Sequence, residues 1–126
     1  MFYRIPFASP PVDLNQLRGL RVKVRSDELR SLRIDVDSPN NSAANDGVQV
    51  GWDVVADTTT KTASVLFADA RVPDWADDPK DSLAAILQTA TGLTFRPKCN
   101  HVESTGHLPA GVTDNGWVDI DDIEFF

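Results

Sequence analysis

The chain predicts an α+β fold, mostly antiparallel β (a sandwich or partly open barrel) with one α-helix at about 79–91 and extended terminal arms. Three observations carry this expectation. Apolar and polar residues alternate along 20–36 and again along 48–67, the two-residue period of half-buried strands. Only the segment near 79–91 shows helical apolar spacing. Sixteen of the nineteen acids are Asp, a poor helix former that favours turns and caps.

At 126 residues the chain fits one domain. We divide it into an extended arm at 1–15, a β-rich core with one helix at 16–112, and an acidic-aromatic segment at 113–126. The arm contains Pro6, Pro10 and Pro11, which oppose a regular element. Its apolar members Phe2, Tyr3, Ile5 and Phe7 are too many for a segment left in water, so burial on the body or on another chain is expected.

Leu20, Val22 and Val24 alternate with Arg21, Lys23 and Arg25, and after Ser26-Asp27-Glu28 the run Leu32, Ile34, Val36 alternates with Arg33 and Asp35. Antiparallel pairing of these two strands is expected. Residues 37–47 form a polar loop of a length that suggests contact or binding. A second hairpin is expected from Val48, Val50, Trp52, Val54 and Ala56, a turn at 57–61, and the return strand with Ala63, Val65 and Phe67.

For the helix, Asp78 suits the N-cap, Pro79 the first turn, and Asp81 the positive helix end. Leu83, Ile86, Leu87 and Ala90 make one apolar stripe, and Gly92 suits the stop. Short strands are expected at 93–96 and near 117–120.

Charge is sorted along the chain. Residues 1–34 hold seven Lys/Arg against three acids, whereas 35–126 hold five against sixteen, within a total of −7. Such sorting suits surfaces that meet different partners. Arg21, Lys23, Arg25 and Arg33 are expected to form a basic face, able to meet protein or a phosphate backbone. A sequence pI near 4.6 weighs against nucleic acid. The interaction residues of the arms are Phe2, Tyr3, Phe7, Trp117, Ile123, Phe125 and Phe126.

Cys99, His101 and His107 lie within nine residues and are zinc-ligand types, with Asp114 a further donor, but C-x-H-x5-H is no established zinc spacing. A polar loop without a metal or other cofactor is the simpler expectation. Asp69, Asp74, Asp77, Asp78 and Asp81 make an acidic run without the glycine and terminal glutamate of a calcium loop. No phosphate loop, nucleophile elbow or H-E-x-x-H motif occurs, and a non-enzymatic protein is expected. One Cys and an N-terminus without a secretory h-region favour an intracellular, cytoplasmic location, or a virion if the chain is phage-encoded. No apolar run is long enough for a membrane span.

Asp121-Asp122-Ile123-Glu124-Phe125-Phe126 resembles the acidic, phenylalanine-ended tip of bacterial and phage single-stranded DNA-binding proteins. In that family the tip docks on partner proteins and the body is an oligonucleotide-binding barrel. The resemblance covers six residues; Glu124 replaces the bacterial proline, Phe126 is an additional residue, and no Gly/Gln/Pro-rich linker precedes it. The expected function is therefore a structural or assembly protein, of phage head, neck or tail type, making subunit contacts through its termini and sorted charges. A small single-stranded nucleic-acid-binding protein with an acidic docking tail is the alternative.

Overall fold

The computed structural model describes residues 3–39, 50–72, 81–98 and 117–126. It contains strands β1 (Tyr3–Pro6), β2 (Gly19–Ser26), β3 (Arg30–Asp37), β4 (Gly51–Ala56) and β5 (Lys61–Leu66), helix α1 (Leu83–Gln88), and strands β6 (Gly92–Lys98) and β7 (Val118–Phe125). The strands make two antiparallel sheets, ordered β1-β6-β3-β4 and β5-β2-β7. The mostly antiparallel α+β class is as expected, and the sheets do not close into a barrel.

The strand pairing differs from the expected local hairpins. β2 pairs with β5 and not with β3, while β3 pairs with β4 and not β4 with β5. The two registers belong to one long hairpin folded across its middle. From Val24 to Arg30 the first arm advances six residues, while its partner advances five, from Ala56 to Lys61. The segments 27–29 and 57–60 are thus the crease of a bent ladder. The Ser26 amide donates to the Asp57 carbonyl across it at 2.7 Å, and the Ser26 hydroxyl donates to the Glu28 carbonyl. Strands that bend at such a corner pass from one sheet to the other.

Alternation survives the crease on the first arm. Leu20, Val22, Val24, Leu32, Ile34 and Val36 all face the core, every one an even-numbered position. On the second arm the inward set changes from Trp52, Val54 and Ala56 to Val65 and Phe67, so 57–60 carry the odd residue. β6 and β7 lie along the other side of the β2–β3 arm, anchored at Ser31↔Lys98 and Ser26↔Val118. The core of the described molecule is therefore a three-pass meander folded over itself, with β1 added at one edge.

The N-terminal arm docks on the body and, against the expectation from its prolines, contains a regular strand ahead of Pro10 and Pro11. β1 pairs with β6, the Phe7 amide donates to the Thr91 carbonyl at 2.9 Å, and Ile5 and Phe7 pack against the core. Gly92 sits where β1 approaches: a Cβ there would lie 2.6 Å from the Ile5 carbonyl oxygen. Gly92 thus opens β6 and is not the expected helix stop.

The helix is shorter than expected, six residues from Leu83. Its N-cap is Ser82, whose hydroxyl accepts the Ala85 amide at 3.2 Å. Asp78 and Pro79 lie outside the described residues. At the other end the Thr89 hydroxyl donates to the Ala85 carbonyl, and Ala90 leaves the helical path to bridge Val12. Ile86 and Leu87 cover the core as the apolar stripe implied. No helix among the described residues is long and apolar enough to cross a membrane.

Candidate functional site

Two charge ladders run across the strands, one on each sheet. On the smaller sheet Arg21, Lys23 and Arg25 project from the solvent side of β2, as alternation requires. They do not stand free. Arg21 lies 3.6 Å from Glu124, Lys23 2.9 Å from Asp122 and Arg25 3.0 Å from Asp119, all on β7. The Arg21 guanidinium also lies over the Phe126 ring at 4.0 Å, and that of Arg25 over Trp117 at 5.2 Å, both within cation–π range.

A β-bulge between Arg21 and Lys23 sets this pattern. Asp122 takes φ 49°, a left-handed conformation that Asp tolerates better than most residues. Its side chain, rather than that of the cross-strand neighbour Asp121, reaches Lys23. The hydrogen bond and charge of Lys23 hold the Asp122 carboxyl below its usual range, and Asp122 raises Lys23 in return. Both side chains are exposed, so the pair is weak and salt-sensitive. Beside it, Lys23, Val24, Arg25, Thr60, Asp119 and Asp121 line a shallow depression of about 160 Å³.

Arg33 does not share this basic face. It belongs to the larger sheet and is only 2% exposed. Its Nε lies 3.1 Å from Asp35 Oδ1 and its Nη1 3.5 Å from Asp53, and its Nη2 donates to the Arg71 carbonyl. Arg96 approaches the other Asp35 oxygen at 3.0 Å. Asp37 accepts a hydrogen bond from Thr94 at 2.8 Å, while Arg4 Nε lies 3.1 Å from its Oδ2 without hydrogen-bond alignment.

This second ladder draws on β1, β3, β4 and β6, and Asp35 is held in it between Arg33 and Arg96. Burial pushes its carboxyl up to about 6, against the opposing pull of Arg96 and Arg33. Alternation sets Arg33 and Asp35 opposite the apolar face of β3, yet both are buried. The R-x-D-x-D alternation at 33–37 was the available signal, because repeated opposite charges on one strand face suit a paired, covered surface.

The other expected sites fall as follows. Phe7, Phe67 and Phe125 form an aromatic chain, with centroids 5.8 Å and 6.2 Å apart. Ile123 and Phe125 pack against the core, whereas Tyr3 and Trp117 are largely exposed. The Phe126 amide and carbonyl bond back to Gly19 and Arg18. Phe2, Cys99, His101, His107 and Asp114 lie outside the described residues, as do Asp74, Asp77 and most of the 37–47 loop. Among the described residues no group of three or more His, Cys, Asp or Glu converges as a metal site. Comparison with protein-family models, with curated proteins and with solved structures finds no match to this chain.

Proposed function

We propose that this chain is a non-enzymatic structural protein that works by making contacts between subunits. A phage virion component of head, neck or tail type is the narrower form of the same reading. The observation that carries it is the commitment of Arg21, Lys23 and Arg25 to β7 carboxylates of the same chain. The sorted charges meet within one chain, so the surface left for partners is the backbone along sheet edges. Terminal strands built into both sheets, β1 and β7, give a subunit whose ends help to define its edges.

Sedimentation velocity over a wide concentration range tests this reading, and reversible association is the expected result. A protein that stays monomeric at its highest attainable concentration would overturn it. Labelled single-stranded oligonucleotide at low ionic strength tests the alternative. Three cations already paired in cis favour no measurable binding. Binding that disappears in the Arg21→Ala/Lys23→Ala/Arg25→Ala variant would instead establish the nucleic-acid reading.

A further inference from the structure

Among the described residues the two sheets present four edges, and three are blunted. β1 has four residues and ends at Pro6, which lacks an amide donor. β4 is capped where Gly51 and Arg71 exchange backbone bonds of 3.0 and 2.9 Å. β7 carries the bulge at Asp122 and the acids Asp119, Asp121, Asp122 and Glu124. Bulges, prolines and charges of this kind keep edges from pairing with other chains.

β5 has none of these devices. Its sequence, KTASVL, holds no proline, and its register with β2 is unbroken from Lys61 to Leu66. Its single charge, Lys61, is paired with Asp57 in the preceding turn.

The direction of its backbone groups follows from the ladder. Gly19 gives both its amide and its carbonyl to Phe126, and the Phe67 amide donates to the Arg18 carbonyl at 2.9 Å. Gly19↔Leu66 is therefore a non-hydrogen-bonded pair of the β2–β5 ladder. By alternation, Lys61, Ala63 and Val65 bond to β2, while Thr62, Ser64 and Leu66 turn their amides and carbonyls outward. The Leu66 carbonyl accepts Trp52 Nε1 at 2.8 Å. Among the described residues nothing hydrogen-bonds the outward backbone groups of Thr62 and Ser64, and both residues are exposed.

We propose that β5 pairs antiparallel with β5 of a second copy of this chain, across a twofold axis at Ala63. This rests on the assembly reading and names its surface and partner. In this register Thr62 faces Ser64 of the second copy and Ser64 faces its Thr62, which makes four backbone hydrogen bonds. The two small Ala63 side chains meet at the axis. The result is a continuous six-stranded sheet, β7-β2-β5-β5-β2-β7, closed by an isologous contact. Charge selects the same edge. Two chains of net −7 that met through β7 would oppose acids to acids, whereas β5 offers a neutral seam.

Two variants test the pairing by sedimentation equilibrium, with circular dichroism as the control for folding. Ser64→Pro removes an outward amide from each copy and leaves the β2–β5 ladder intact. Thr62→Glu/Ser64→Glu sets each acid beside Lys23 or Arg21 within the monomer, but acid against acid across the axis. Each is expected to raise the dimer dissociation constant about tenfold or more. Amide exchange at Thr62 and Ser64 in the wild type is expected to slow as concentration rises. If Ser64→Pro fails to fold, the Glu pair carries the test. Wild-type association that both folded variants leave unchanged would refute β5 pairing while leaving the assembly reading intact. A wild type that never associates removes both.

Discussion

Asp35 is held by Arg33 and Arg96 yet raised from 3.8 to about 6, because burial outweighs both guanidinium groups. The sign of the consequence is fixed by proton counting. Between those two values the native state holds more proton at Asp35 than the unfolded chain does. Its contribution to stability is therefore fullest below about pH 4 and is lost as pH rises to about 6. In urea denaturation across this window, wild type is expected to lose about 2–3 kcal/mol that Asp35→Asn does not lose. Parallel stability profiles for the two proteins would show that burial does not dominate at Asp35. The odd-numbered charges of 33–37 were legible as one strand face. Their burial was not, because the Arg71 backbone that meets Arg33 comes from outside that hairpin.

β7 is attached to β2 in two ways of unequal strength. Its exposed ion pairs hold it loosely, and Arg25→Ala is expected to move the denaturation midpoint little, with the change fading at high salt. Phe125 matters more, because its ring joins Phe7 and Phe67 across the two sheets. Phe125→Ala is expected to destabilise by about 2–3 kcal/mol, at or just below the low end for a core Phe because the ring is only partly buried. A salt-independent loss of that size at Arg25, or none at Phe125, would reverse the ranking. In sequence the segment read as an acidic-aromatic docking tail, and its docking site is β2 of the same chain. The helix shows a similar limit. The stripe of Ile86 and Leu87 was visible, but Ser82 caps it, and the Val12↔Ala90 bridge ends it.

Across the whole molecule, the sorting of basic residues before 35 and acidic ones after it becomes adjacency. The meander lays β7 along β2, so the two charge sets meet within a sheet. In the proposed assembly, electrostatic contact between subunits therefore has the smaller part and the open backbone of β5 the larger one. The sorted charges thereby line the C-terminal strand along β2 and shield its edge.

The strands of 20–36 and 48–67, their apolar inward faces and the helix seen among the described residues were determined by the sequence alone, because alternation and helical spacing are local properties of the chain, whereas β1 was not. Leu20 through Val36 face inward at every even position that the period marks as apolar. Which strands pair was decided only by tertiary structure. Ser26-Asp27-Glu28 and Asp57–Lys61 have the composition of hairpin turns, yet each crosses the crease of a longer hairpin. A turn signal states that the chain bends, but not whether the next strand returns beside the last or passes to the opposite sheet. That choice follows from burying two apolar faces against each other. It places Arg33 within the larger sheet and leaves Arg21, Lys23 and Arg25 on the smaller one.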